Sequence, residues 1–188
     1  MPMSRQEALK ILDDWVTSPN LKKHMLAVAA SMAWYAKKFG EDEDKWYAVG
    51  LLHDMDYEKF PNPNRDQTGH PYKAVEFLKD KLGQESLDAI MGHAEFAHTP
   101  RETQMAKTLF AVDELTGMIT AVALVKPEKK LSAVDVNSVK KRFKEKRFAA
   151  GVNREEIIQG AQDLGVPLDE HIQNVIDAMS GIASILGL

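Results

Sequence analysis

Apolar side chains recur at three- and four-residue steps along almost the whole chain, and this spacing is typical of amphipathic helices. Ser4, with Glu7 three residues later, forms the capping signature of a first helix, which should end near Ser18. The same pattern predicts further helices over residues 21–39, 44–53, 70–81, 84–96, 102–125, 154–164 and 168–186. No run of alternating apolar and polar residues indicates a sheet. The predicted fold class is therefore all-α.

Residues 54–69 interrupt this pattern between two predicted helices. They contain two prolines, two asparagines and one glycine, a composition that predicts a loop. Long loops in compact domains often carry function. We therefore expect this segment to border a functional site.

Composition changes beyond Pro127. The chain of 188 residues has a net charge of −4, yet residues 126–147 hold nine basic and three acidic side chains. We interpret residues 1–125 as the working domain and residues 126–188 as a helical extension packed on it. The basic run KKRFKEKR at 140–147 is better explained as a solvated helix face, or a surface pairing with the acidic domain, than as a nucleic-acid site.

The absence of cysteine excludes disulfides, thiolate metal sites and a cysteine nucleophile, so nitrogen and oxygen must hold any metal. Two acidic residues directly after the first short apolar stretch argue against a signal peptide. No window approaches 18 uncharged apolar residues, so we expect no membrane span and no membrane partner. The expected location is the cytoplasm.

Polar side chains that can bind a cation lie within or at the ends of apolar helices. His24 shares a helix face with Leu21 and Val28, and Asp113 shares one with Leu109. A buried carboxylate without a partner is costly, so it usually pairs with another group or coordinates a cation. The adjacent pair His53-Asp54 ends a predicted helix just before the long loop. These four residues form either a metal site or a structural polar cluster.

The order of these residues resembles the H…HD…D motif of the HD-domain superfamily of metal-dependent phosphohydrolases. The segment LLHDMDYEKFP is similar to the sequence around the central His-Asp of that family, and TLFAVDELTGMITAVALVKP to the helix of its final Asp. The segment FAAGVNREEI and the terminal LGL resemble a small, HDIG-like bacterial branch. The resemblance implies an HD-domain helical bundle in which His24, His53, Asp54 and Asp113 hold one divalent metal ion.

Two further histidines fall where dinuclear members of this superfamily place additional ligands. The resemblance implies that His70 and His93 bind a second ion together with Asp54, which would bridge the two ions. Imidazole and carboxylate ligands suit Mn, Fe, Co, Ni or Zn, with Mg also compatible, so the residue types do not select the metal. The alternatives are a helix-capping role for His70 before Pro71 and a surface position for His93. His98 and His171 are assigned structural roles, with His171 in a solvated first helical turn.

A phosphate substrate also requires groups that are not metal ligands. Arg65 in the loop and Lys73, one turn after His70, are the candidates for binding phosphate oxygens by charge-assisted hydrogen bonds. Asp56 is a candidate general acid or base, with an Asx turn as the alternative. Asp54 completes the predicted catalytic set.

These residues favour one reaction class and leave two alternative functions open. The first is hydrolysis of a phosphate ester, of a nucleotide or a small phosphorylated metabolite, by attack of metal-activated water on phosphorus. The rivals are an HD-fold di-iron oxygenase, which the same six ligands would also serve, and a non-catalytic nucleotide-binding regulatory module. The sequence leaves the substrate, the metal, the number of ions and the oligomeric state open.

Overall fold

The computed structural model describes residues 3–188, and this part of the chain contains ten α-helices and no strand. The all-α prediction is confirmed. The helices are α1 (Arg5–Trp15), α2 (Pro19–Phe39), α3 (Glu43–Leu52), α4 (Tyr72–Leu78), α5 (Gln84–His93), α6 (Gln104–Val125), α7 (Val136–Phe143), α8 (Arg154–Leu164), α9 (Leu168–Ser180) and α10 (Ala183–Leu186). Short 3₁₀ turns lie at Glu95–Ala97 and Leu131–Ala133.

Most helix ends follow the local sequence signals. The capping box of Ser4 and Glu7 is present at α1, and Gly40 ends α2 in the left-handed conformation with φ +75°. Three differences stand out. Helix α4 is shorter than the predicted segment 70–81, helix α7 was not predicted, and the predicted helix 168–186 is divided at Gly181 into α9 and α10.

Helices α2 and α6 form the centre of the bundle. Helix α3 packs along α2, helix α5 packs against α6, and α2 and α6 also contact each other. The approach of α3 to α2 is close at Gly50, where a Cβ atom would lie 2.9 Å from the Ala29 Cα and from the Met32 Cγ. Only glycine allows this spacing, which brings the C-terminus of α3 next to the middle of the bundle.

The C-terminal helices pack on this centre rather than apart from it. A Cβ atom at Gly160 in α8 would lie 2.5 Å from the Ala111 Cα in α6. Helix α9 contacts α2 through a buried network in which the Tyr35 hydroxyl lies 2.7 Å from the His171 Nδ1. The expectation of a solvated His171 is therefore wrong, because the inward face of α9 buries it completely. The division of the chain at residue 125 stays a prediction.

Helix α6 is the only helix within residues 3–188 that could cross a membrane by length and composition. Of its most apolar 18-residue window, 61% is buried inside the protein. Side chains such as Leu109, Val112 and Leu115 lie in the main core. The apolar character of α6 is accounted for by its central position in the bundle.

Candidate metal centre

All six predicted metal ligands converge at one place in the bundle. They come from five points of the scaffold: the first turns of α2, the end of α3, which contributes two adjacent residues, the long loop, the end of α5 and the middle of α6. The residues are His24, His53, Asp54, His70, His93 and Asp113. Two overlapping groups within residues 3–188 have donor atoms close enough to share an ion, namely His24 with His53 and Asp113, and His53 with Asp54 and His93.

The carboxylate of Asp54 lies between two pairs of imidazoles. Its Oδ2 is 3.7 Å from the His24 Nε2 and 3.6 Å from the His53 Nε2. Its Oδ1 is 3.5 Å from the His70 Nε2 and 3.4 Å from the His93 Nε2. The two oxygens of one carboxylate therefore face two different histidine pairs.

Asp113 completes only one of these two sides. Its Oδ1 lies 3.0 Å from the His24 Nε2 and 3.5 Å from the His53 Nε2. The side with His24 and His53 thus has two carboxylates, whereas the side with His70 and His93 has only Asp54. The two sides differ in charge and so differ in the strength with which they attract a cation.

The Nδ1 atom of each imidazole faces a fixed acceptor. The His53 Nδ1 lies 2.7 Å from the Gly50 carbonyl oxygen, and the His93 Nδ1 lies against the Ile90 carbonyl oxygen. The His70 Nδ1 is 2.8 Å from the Asp56 Oδ1. Carbonyl and carboxylate oxygens only accept, so each of these Nδ1 atoms carries the proton and donates it. In the neutral ring, the lone pair of each Nε2 atom therefore faces the cluster, as in metal-ligating histidines.

The fourth imidazole is oriented through a hydroxyl group. Thr116 donates its hydroxyl hydrogen to the Asp113 carbonyl oxygen at 2.8 Å, and its Oγ1 lies 3.4 Å from the His24 Nδ1. Because that hydrogen is already used, the hydroxyl oxygen can act only as an acceptor toward His24. The Nε2 of His24 is therefore also directed at the cluster.

One buried nitrogen of the cluster makes no hydrogen bond in the described part of the chain. His53 is completely buried, and its Nε2 makes no hydrogen bond to any group in residues 3–188. An unsatisfied buried polar atom costs about 1–3 kcal/mol. A divalent cation held by His53 and the neighbouring carboxylates would satisfy this atom, and the nitrogen and oxygen donors present fit such an ion.

The electrostatics of the cluster also favour a cation. Burial lowers the pKa of His53, but the carboxylates of Asp54 and Asp113 outweigh it and raise that pKa to about 9. Burial raises the pKa of Asp54 and of Asp113, and the charge of His53, with hydrogen bonds from histidines, overcomes it and holds both pKa values below the ordinary range. Without metal, a proton on His53 therefore offsets only part of the negative charge of the two carboxylates.

A cavity of about 650 Å³ opens beside the cluster. Arg65 is its only arginine or lysine lining residue among residues 3–188, and the guanidinium lies 6.0 Å from the ring centroid of Phe96. Tyr57, which is 53% exposed, adds a second aromatic side chain to the lining. The cavity therefore joins the cluster to one cationic group and two aromatic rings.

Two residues of the predicted catalytic set lie outside the lining of this cavity. Asp56 is completely buried, and its two oxygens accept hydrogen bonds from the His70 Nδ1–H and the Ala74 N–H, each at 2.8 Å. Lys73 pairs with Glu76 at 2.7 Å. Asp56 therefore contacts the ligand His70 from the side away from the cavity, and Lys73 contacts Glu76.

The cavity also has lining residues that the sequence reasoning missed. Glu114 follows Asp113 in α6, while Asn153 and Glu156 come from the start of α8. Burial, together with the Asp113 charge, raises the pKa of Glu114 to about 7, and burial raises the pKa of Glu156. The only available signal was the cap pattern of Asn153 with Glu156, which predicts a helix start but no position near the cluster.

The sequence profile of the HD domain family matches residues 21–137. The chain belongs to the HD domain family. The matched segment contains all six converging residues and ends before α8, so Asn153 and Glu156 lie outside it. Comparison with curated proteins and with solved structures found no match. Membership places the chain in the superfamily of metal-dependent phosphohydrolases.

Proposed function

We propose that this HD-domain protein hydrolyses a phosphate ester with one or two divalent cations bound at the six-residue cluster. The observation that carries this proposal is the position of Asp54, whose Oδ2 faces His24 and His53 while its Oδ1 faces His70 and His93. A carboxylate between two sets of imidazole nitrogens is suited to bridging two cations. A structural ion pair would not need four imidazole nitrogens directed at it.

The division of ligands follows from these distances. His24, His53, Asp54 and Asp113 would hold one cation, and Asp54, His70 and His93 would hold the other. When bound, such cations lower the pKa of water and neutralise charge on phosphate oxygens. The first side, with two carboxylates, should fill at lower metal concentration than the second.

The protein's other groups orient the ligands and the substrate. We assign Asp56 a positioning role, because both of its oxygens are occupied and it holds the His70 ring through Nδ1. Arg65, in the cavity lining, can bind a phosphate oxygen by a charge-assisted hydrogen bond. The rings of Tyr57 and Phe96 offer flat apolar surfaces to the organic part of the ester, which suits a nucleotide or a small phosphorylated metabolite.

The proposal is tested by metal analysis followed by a phosphatase screen. Protein purified without chelator is analysed for metal, and phosphate release from a panel of phosphate esters is measured with the metal found. Asp54→Ala and His53→Ala should each lower metal content and slow phosphate release by about a hundredfold or more. His98→Asn, at an exposed position outside the cavity lining, is the matched control and should behave as the parent does. Parental metal content and rate in Asp54→Ala contradict the proposal.

The same measurements separate the rival functions. Iron with an optical spectrum that changes on exposure to oxygen, and no phosphate release, would identify an oxygenase. Full metal occupancy with tight nucleotide binding and no turnover would identify a regulatory binding module. Either result replaces the hydrolase proposal.

A further inference from the structure

Two carboxylates form one wall of the cavity beside the metal centre. We use the name acidic wall for Glu114 and Glu156, which both line the cavity together with Asn153. Glu156 belongs to α8, which lies beyond the segment matched by the HD domain family. This chain's own C-terminal part therefore contributes to the surface that a substrate must contact.

The acidic wall is held in place through Asn153, the N-cap of α8. The Asn153 backbone N–H donates to the Glu114 Oε2 at 3.1 Å, and its side-chain Nδ2 donates to the Glu156 Oε1 at 2.6 Å. Helix α8 itself is fixed against α6 by the close contact of Gly160 with Ala111. The wall is thus part of a packed scaffold and not a set of mobile surface side chains.

Neither carboxylate of the wall forms an ion pair with a lysine or arginine in the described chain. No ion pair within residues 3–188 involves Glu114 or Glu156, whereas the neighbouring Glu95 pairs with Arg101 at 3.1 Å. Each wall carboxylate uses only one oxygen in its bond to Asn153. An ionised carboxylate has about four acceptor positions, so most of the accepting capacity of the wall is unused.

Charge then limits what can bind next to the metal centre. Two divalent cations with the Asp54 and Asp113 carboxylates carry a net charge of about plus two, which one phosphate dianion balances. Beyond that phosphate, the lining offers Arg65 as a cation against the two carboxylates of the acidic wall and Glu95, which pairs with Arg101. A second phosphate group would meet net negative charge, whereas hydroxyl, amino or amide N–H groups would find acceptors.

We propose that the acidic wall selects phosphate monoesters with a single phosphate and a hydrogen-bond-donating, uncharged or cationic leaving group, and that it excludes substrates with two or three phosphates in series. This inference rests on the proposed function, because it takes the metal centre as the position of the reacting phosphate. It makes Glu156, outside the family segment, a specificity-determining residue. Among nucleotides, the wall favours nucleoside monophosphates.

The test measures equilibrium binding, so that it does not depend on turnover. The probes are an adenosine phosphonate and its bisphosphonate counterpart, in which methylene groups replace every bridging oxygen. Their dissociation constants for the metal-loaded protein are measured by calorimetry at pH 8, well above the ordinary pKa of a glutamate carboxyl group. The variants are Glu156→Gln and the double variant Glu114→Gln/Glu156→Gln. Glutamine retains the oxygen that accepts from Asn153, so both variants keep that contact.

The matched control is Glu155→Gln, which removes the same charge from the same helical turn at an exposed position outside the cavity lining. The parent should bind the phosphonate about tenfold more tightly than the bisphosphonate. Glu156→Gln should lower this preference about fivefold, the double variant should lower it further, and the control should retain it. A preference that is the same in the parent, in Glu156→Gln and in the double variant overturns the inference.

The outcome is separate from that of the proposed function. Release of phosphate from esters, measured in parallel on the parent, decides whether the metal centre is hydrolytic. A parent that releases phosphate but shows no change of preference in the wall variants contradicts only the role of the acidic wall. A parent that discriminates between the two probes through Glu156 but releases no phosphate supports the wall and contradicts the hydrolase.

Discussion

The Asp56 carboxylate accepts the Nδ1–H of His70 at 2.8 Å, while the Nε2 of the same ring lies 3.5 Å from the Asp54 Oδ1. The second oxygen of Asp56 accepts the Ala74 N–H at 2.8 Å, and no part of the side chain is exposed. Such a carboxylate fixes the orientation of the imidazole and raises its basicity. In the proposed two-cation centre, Asp56 would therefore act on the second cation through His70.

Substitution of Asp56 tests this relationship. Asp56→Asn keeps an oxygen for the Ala74 N–H but removes the negative charge behind His70. It should weaken binding of the second cation about 10–100-fold and leave the first cation nearly unaffected. Calorimetric metal titration checks this, with the exposed Asp80→Asn as control. Identical binding of both cations in Asp56→Asn and in the parent would show that the contact does not orient a ligand.

Arg65 is expected to act on substrate binding and not on the metals. Arg65→Gln keeps much of the side-chain length but removes the charge, so KM should rise about tenfold with a smaller change in kcat. Lys79→Gln, at an exposed site outside the cavity lining, provides the control. Steady-state kinetics with the best ester found in the screen give both constants. An unchanged KM in Arg65→Gln places the phosphate away from this guanidinium.

The contact of Gly160 with Ala111 should be sensitive to a single added methyl group. Gly160→Ala places a Cβ atom 2.5 Å from the Ala111 Cα, so α8 must move away from α6. The expected loss is about 1–3 kcal/mol in the free energy of unfolding, measured by urea denaturation. Gly151→Ala is the control, because a Cβ there meets no atom within 4 Å. Equal stability of the two variants contradicts the close packing of α8.

The buried His171 predicts a stability that depends on pH. Its Nε2 lies 2.8 Å from the Ala111 carbonyl oxygen, which only accepts, so the neutral ring donates from Nε2 and accepts the Tyr35 hydroxyl at Nδ1. Burial lowers the pKa of His171. Below about pH 6.5, His171 is therefore protonated in the unfolded chain but still neutral in the folded chain. The free energy of unfolding decreases as the pH decreases through this range.

A comparison with His171→Gln isolates this contribution from that of the metal ligands. The free energy of unfolding of the parent and of the variant is measured from pH 7.5 to pH 5.5. The advantage of the parent over the variant should shrink steadily as the pH decreases through this range. A constant difference would mean that His171 binds a proton equally well in the folded and unfolded chains.

The resemblance to the HD-domain superfamily was sufficient to predict which six residues meet, whereas the residue types alone left His24, His53, Asp54 and Asp113 open as a metal site or a polar cluster. The sequence did not predict the roles of the residues that surround these six ligands. Asp56 was assigned an acid–base role from its place next to His53-Asp54, and only the folded loop shows that both its oxygens are occupied. Glu156 was missed because it reaches the cavity through the packing of α8 on α6, a contact that depends on the small size of Gly160.

The helices were also predicted well where local sequence signals determine them and poorly where tertiary packing does. Helices with a wide apolar stripe and clear end signals were predicted, whereas α7 was not, since Val139 is its only buried residue. The position of His171 next to Asp169 and Glu170 indicated solvent, yet those two neighbours lie on the outer face of α9 and His171 on the inner one. Local polarity alone does not determine which face a helix buries.

The most direct test of the metal centre is anomalous diffraction from crystals grown with manganese. We expect one anomalous peak among His24, His53 and Asp113 and a second, weaker peak beside His70 and His93, with Asp54 in contact with both. Crystals of Asp54→Ala should lose the second peak. Anomalous peaks absent from this cluster, or present only at other sites, would contradict the claim that these six residues form a metal centre.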